Sequence, residues 1–114
     1  MKIDAYSFGS MTIDGKVFDA DLIVFPDRIR AHWWRIEGHA LAVEDLKEVI
    51  DFQPKILLVG KGASGCMEIP AATKNALQAK RIKLIEGNTD RVYPIFNEAL
   101  EKAEKVVGAF HLTC

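Results

Sequence analysis

One stretch restricts the fold of this chain more than any other. Ile56-Leu57-Leu58-Val59 is followed directly by Gly60-Lys61-Gly62-Ala63-Ser64-Gly65. Four consecutive apolar residues cannot alternate between core and solvent. The run therefore predicts a strand buried on both faces, as in a parallel sheet under helices. The glycines predict a crossover loop at the carboxyl end of that strand, where open α/β sheets place their ligands.

The flanking patterns agree with helices around such a strand. Val43, Leu46, Val49 and Ile50 recur at helical spacing, and Glu44 and Asp45 sit where the helix dipole favours acids. Pro70 predicts the first turn of a helix running to about residue 81. Residues 82–85 read as the next strand. Thr89 or Asp90 can cap a final helix to about residue 106, with the stripe Val92, Phe96, Ala99, Leu100, Ala103 and Val107. Gly108 reads as its stop, and residues 109–112 as a short closing strand.

The first third reads as β. Residues 3–8 and 11–13 form two strands, and Asp14-Gly15 predicts a type I′ hairpin turn leading into Val17 and Phe18. Residues 22–25 form a strand closed by Pro26-Asp27. Residues 28–35 alternate, with Ile29, Ala31 and Trp33 on one face and Arg28, Arg30, His32 and Trp34 on the other. The order is β-rich, then α-β-α-β-α-β. It predicts an α/β fold in three layers: a mixed central sheet, helices on its faces and an N-terminal β-hairpin layer. With 114 residues and no linker or repeat, a single domain over 1–114 is expected. Area scaling gives about 6,200 Å² of accessible surface when folded.

Composition narrows the function classes. Fifteen basic residues against 16 acidic give a net charge of −1 with no basic block, so neither a nucleic-acid partner nor an anionic membrane is predicted. No apolar run approaches the roughly 20 residues a membrane span needs. Met1-Lys2-Ile3-Asp4 does not read as a signal peptide. A cytoplasmic location is expected, with Cys66 and Cys114 as reduced thiols. Neither cysteine has a CxxC partner, which argues against zinc.

Gly60 to Gly65 satisfies GxGxxG, and Glu86 ends the next strand, where a dinucleotide fold keeps its ribose carboxylate. Yet the next helix is predicted to begin well beyond the motif, and the motif follows several strands instead of opening the fold. The chain is also too short for two mononucleotide halves. Walker A fails because Cys66-Met67 follow Gly65. No cofactor is expected. Two readings of the loop remain: a plain crossover, or a ligand site of Gly60, Lys61, Gly62, Ser64 and Gly65 in which Lys61 and backbone N–H groups hold an anion.

No catalytic set is visible. His32, His39 and His111 lack metal-ligand spacing, and Ser64 lacks a nucleophile elbow. Cys66 would serve as a nucleophile only with its thiolate stabilised by Lys61 or the helix start, and Glu68 is the nearest acid; the plainer reading gives neither a catalytic role. Adjacent tryptophans on a strand must point to opposite faces, so one of Trp33 and Trp34 needs cover from a helix, a partner chain or an arginine. Arg30, Trp34 and Arg35 are therefore the candidate interface, since Trp and Arg anchor protein contacts.

Several pieces spread over about residues 8–114 resemble a small α/β family. They are Trp34 with His39 and Leu41, Glu44-Asp45-Leu46, and the run from Pro54 through Val59-Gly60-Lys61-Gly62. Pro70, Thr89, Phe96-Asn97 and the terminal Phe110-His111-Leu112-Thr113-Cys114 complete the set. That family includes the mitochondrial NADH:ubiquinone oxidoreductase complex assembly factor 3 and an adipogenesis-associated Mth-domain protein. Lys61 departs from its Gly-Thr-Gly, and Cys66 from its basic or polar residue. The resemblance implies a three-layer fold and no established activity. Together these readings favour a non-enzymatic protein-interaction or assembly-factor-like module with an unidentified protein partner. A homodimer through edge strands is also compatible. The alternative is a binder or enzyme for an anion or nucleotide at the glycine loop.

Overall fold

The computed structural model describes residues 1–114. It exposes 6181 Å², matching the area expected for a chain of this mass. Two sheets are present. The smaller is antiparallel, in the order β1 (Ile3–Ser7), β2 (Ser10–Ile13), β3 (Lys16–Phe18). Asp14 and Gly15 both adopt positive φ, 49° and 80°, as the hairpin turn requires.

The larger sheet adds β4 (Leu22–Val24), β5 (Ile29–Arg30), β6 (Ile56–Lys61), β7 (Lys83–Gly87) and β8 (Val106–His111). Its order is β5-β4-β8-β6-β7. β6 runs parallel to both β7 and β8, whereas β4 runs antiparallel to β8 and β5. The sheet is thus mixed, and its centre is the last strand in the chain.

Helices cover the two faces. On one side a 3₁₀ turn, Val43–Leu46, leads into α1 (Lys47–Phe52), and α2 (Ala71–Ala79) lies nearby. Their Leu46, Val49 and Leu77 pack with Ile23, Leu57, Val59, Val107 and Ala109 of the sheet. On the other side α3 (Thr89–Glu101) brings Val92, Phe96 and Ala99 against Leu22, Val24, Leu58, Val106 and Phe110. Ile3, Met11 and Ile13 of the small sheet complete that core. This is the expected three-layer α/β arrangement.

Three details differ from the sequence expectations. The strand over 28–35 shrinks to Ile29–Arg30, because His32 takes a left-handed φ of 54° and breaks the alternation. The final helix stops at Glu101, and Val107 belongs to β8, which begins at Val106. Its cap residue is Asn88, freeing Thr89 for another task.

The early stop of α3 has a local cause. Ala103 adopts φ 58°, its N–H bonds to Leu100 O at 3.0 Å, and Glu104 N–H reaches Ala99 O at 3.1 Å. This is a Schellman ending, a motif that usually carries glycine. α2 ends the same way. Arg81 is at φ 59°, Arg81 N–H bonds to Gln78 O, and Ile82 N–H bonds to Leu77 O. After α1, Gln53 sits at φ 56°. All three helices thus end on a left-handed residue other than glycine, so no glycine marks the stops.

Candidate functional site

Strand parity places a row of polar side chains at one end of the large sheet. Asp21 shares a face with Ile23 and Phe25, just before β4. His111 shares it with Val107 and Ala109 at the end of β8. Lys61 follows Leu57 and Val59 at the end of β6, and Glu86 follows Leu84 on β7. The row therefore lies at the carboxyl ends of the parallel strands, on the face carrying α1 and α2.

Its centre is buried. His111 Nδ1 lies 2.7 Å from Asp21 Oδ2, and Leu112 N–H donates to Asp21 Oδ1 at 2.8 Å. Arg35 Nη1 pairs with Asp21 Oδ2 at 2.8 Å, and Arg35 Nη2 donates to Gly38 O, also at 2.8 Å. Arg35 is only 8% exposed. Burial alone would raise the Asp21 pKa. The hydrogen bonds from His111, Leu112 N–H and Arg35, with the His111 charge, outweigh it and hold the carboxyl below its usual range. His111 Nδ1 also lies 3.1 Å from Arg35 Nη2, so this nitrogen faces both the carboxylate and the guanidinium, and its role as donor or acceptor follows the ring's tautomer. Nε2 is left buried without a hydrogen-bond partner, as is Arg35 Nε. The ring of His39 stands edge-on to that of His111 at 5.7 Å.

At the other end of the row, Lys61 Nζ and Lys74 Nζ each lie 3.2 Å from a Glu86 oxygen. Burial would raise the Glu86 pKa, but these two ammonium groups lower it. Lys61 is therefore ion-paired, and it ends the strand instead of standing in the loop.

The glycine loop is occupied by its own chain. Ala63 N–H donates to Thr113 O at 2.6 Å, and Cys66 N–H to Cys114 O at 2.9 Å. Gly62 N–H donates to Thr89 Oγ1 at 3.0 Å, while that hydroxyl donates to His111 O at 2.6 Å. Gly62 sits at φ +100°, and a Cβ there would come within 2.4 Å of the Cys114 carbonyl carbon. This glycine serves close backbone approach within the fold. Ser64 is exposed, and Asn88 Nδ2 donates to Ala63 O at 3.3 Å. The following helix begins at Ala71, beyond the loop. The larger surface clefts lie elsewhere, one of them between Lys74, Gln78, Arg81 and Lys83.

The second candidate region, residues 31–42, packs directly over this row. Trp33 is 7% exposed, its indole N–H donates to Asp45 O at 3.1 Å, and its backbone N–H donates to Asp21 O at 2.7 Å. Arg35 stacks on the Trp33 ring at 4.8 Å. Ile36 N–H donates to Asp45 Oδ1, and residues 39–41 bond to Glu68 on both sides of Ala40. Between these anchors Trp34 is 79% exposed and Ile36 61%. Arg35 thus turns inward and does not join Trp34 at the surface. Arg30 is exposed and pairs with Glu48 at 2.9 Å, beside Arg28, which contacts Glu48 and Asp27. The local excess of arginine is therefore neutralised by acids, and Arg28 lies over Phe25 instead of Trp34.

Sequence reasoning passed over Asp21 and found no metal-ligand spacing around His111. Parity held the signal: both are polar residues in line with buried apolar positions. No group of three or more His, Cys, Asp or Glu side chains comes together in metal-binding fashion. No helix is long and apolar enough to cross a membrane.

Comparison with known proteins follows the same architecture. A family model described as a protein of unknown function, DUF498/DUF598, matches residues 3–111. A conserved hypothetical protein from Pyrococcus horikoshii OT3 is 28% identical, with complete coverage of both chains and a TM-score of 0.87. An outer membrane protein from Bartonella henselae is 24% identical over 98% of this chain and 94% of its own, with a TM-score of 0.84. A Mth938-like domain from Bordetella pertussis is 14% identical over 97% of this chain and 85% of its own, with a TM-score of 0.77. The last two likenesses speak for the fold alone.

Proposed function

Because this chain belongs to the DUF498/DUF598 family of proteins of unknown function, we propose a role that rests on its own surface: a non-enzymatic, cytoplasmic protein-interaction module. The observation that carries the reading is the alternation along residues 33–36. Trp33 and Arg35 are buried and fastened, while Trp34 and Ile36 project outward. A large aromatic side chain held out on a fastened segment loses little freedom when a partner covers it. Exposed tryptophan on a prepared backbone is a usual anchor of protein interfaces. Arg30 and Glu48, an ion pair between β5 and α1, are the polar groups this reading assigns to the rim.

The resemblance to the family of the mitochondrial assembly factor 3 gives this reading its form, an assembly-factor-like scaffold. That part is analogy, since a fold hosts many functions. The alternative, an anion or nucleotide site at Gly60, Lys61, Gly62, Ser64 and Gly65, has less support. The N–H groups of Gly62, Ala63 and Cys66 are already engaged, and Lys61 is paired with Glu86.

The test is capture of partners from native lysate on the tagged full chain, read by quantitative mass spectrometry. Trp34→Ala is compared with Phe8→Ala, which removes another exposed aromatic. A protein lost with the first substitution and kept with the second is the expected result. Sedimentation of the same proteins shows whether the partner is a second copy. An identical set of captured proteins for all three, with an unchanged sedimentation coefficient, would overturn the proposal.

A further inference from the structure

The two cysteines stand far apart in sequence, yet the fold brings their backbones together. Cys66 follows the glycine loop, and Cys114 follows β8. The Cys66 N–H donates to Cys114 O at 2.9 Å, and the neighbouring rung joins Ala63 N–H to Thr113 O at 2.6 Å. Standard bond lengths then cap the Cα–Cα separation at about 7 Å, and ordinary bending at the hydrogen bond reduces it to about 5–6 Å. Disulfides span about 4.4–6.8 Å between Cα atoms. Both residues are exposed and both thiols are free.

We propose that Cys66 and Cys114 form a reversible intramolecular disulfide, a redox latch that fastens residues 113–114 over the glycine loop. The oxidant is a low-molecular-weight disulfide. The Cys66 thiolate attacks one of its sulfurs, forming a mixed disulfide and releasing one thiol. The Cys114 thiolate then attacks the Cys66 sulfur and expels the second thiol. Two protein thiols lose two electrons in total, and the small disulfide gains them. Exposure gives the oxidant access, and the tail rungs hold the resolving thiol near. Attack in the opposite order, Cys114 first, gives the same product.

The latch controls what the loop can offer. Thr113 O and Cys114 O occupy the N–H groups of Ala63 and Cys66. Those bonds, with the packing of Cys114 on Gly62, hold residues 113–114 when the thiols are reduced, and lifting them would uncover the N–H donors of Ala63 and Cys66 in the loop that follows the ion-paired Lys61. Oxidation removes that freedom by closing the chain from residue 66 to residue 114.

The experiment equilibrates the reduced full chain with glutathione at graded ratios of thiol to disulfide, followed by acid quench, alkylation and intact-mass measurement. The wild type is expected to lose two hydrogens, resist alkylation at both cysteines, stay free of interchain links and yield one linked peptide pair spanning Cys66 and Cys114. Cys66→Ser and Cys114→Ser are each expected to stop at a single glutathione adduct. Protein that carries glutathione on both cysteines, or links between chains, with no internal bridge at any ratio, would overturn the proposal. The wild-type mass decides the matter even if a variant folds poorly.

Discussion

Nδ1 of His111 lies 2.7 Å from Oδ2 of Asp21, which stands 90 positions earlier in the chain. The contact joins the end of the central strand to the start of its antiparallel neighbour, and Arg35 closes it from the overlying segment. Asp21 is anionic at neutral pH and bound by three donors, so its protonation must weaken the fold. A carboxyl whose folded pKa is depressed contributes fully above its unfolded value, about 3.9. That contribution fades as pH falls through the lower folded value. Urea unfolding from pH 7 down to pH 3 should show wild-type stability dropping toward acid. Asp21→Asn should be less stable by about 3 kcal/mol at neutral pH, since it leaves Arg35 buried and unpaired. The gap between the two should narrow toward pH 3. A gap independent of pH would mean Asp21 is not held in its charged form.

The two tryptophans should behave oppositely on truncation. Trp33→Ala opens the core beneath Arg35 and removes the bond to Asp45 O, and should cost about 3–5 kcal/mol. Trp34→Ala removes a side chain that is 79% exposed and should fall within about 0.5 kcal/mol of wild type. Chemical denaturation monitored by circular dichroism separates them. Equal losses would contradict the alternation on which the proposed interface rests.

Thr89 is expected to matter through its hydroxyl. It accepts from Gly62 N–H and donates to His111 O, both buried. Thr89→Val keeps the shape and strands both groups, at a cost of about 1–3 kcal/mol. Thr89→Ser should recover most of that loss. Thermal unfolding of the pair is the check, and a serine variant as weak as the valine one would point to the methyl group instead.

Glycine should stabilise the helix stops. Arg81→Gly and Ala103→Gly each place the residue best suited to a left-handed φ at a Schellman ending. A gain of about 0.5–1 kcal/mol is expected for each, or about 2–5 °C in Tm. A fall in Tm at both positions would show that the side chains there contribute more than the backbone strain costs.

The layer arrangement was legible because long-range burial leaves a mark on local pattern. Ile56 to Val59 could only be a doubly covered strand, and Asp14-Gly15 could only be a tight turn. Helix ends were less legible: Gln53, Arg81 and Ala103 carry no glycine signal, and Val107 continued the helical stripe past the true stop. The polar row was hidden for a different reason. Asp21 and His111 look ordinary until strand order makes them neighbours, and no local pattern encodes that β8 inserts between β4 and β6. Glycine at 60 and 62 suggested a ligand, whereas its observed use is to let Thr89 and Cys114 approach. A glycine admits a close neighbour without saying whether that neighbour is a phosphate or the chain itself.

The central place of β8 sets the order in which the molecule can be made. β4 and β5 leave the ribosome early, and β6 and β7 later, yet neither pair is hydrogen-bonded to the other except through residues 106–111. Until that strand emerges, both halves of the sheet carry an open edge of unpaired N–H and C=O groups, the kind of edge that invites pairing between chains. The sheet therefore cannot close before residues 106–111 are available to join its two halves.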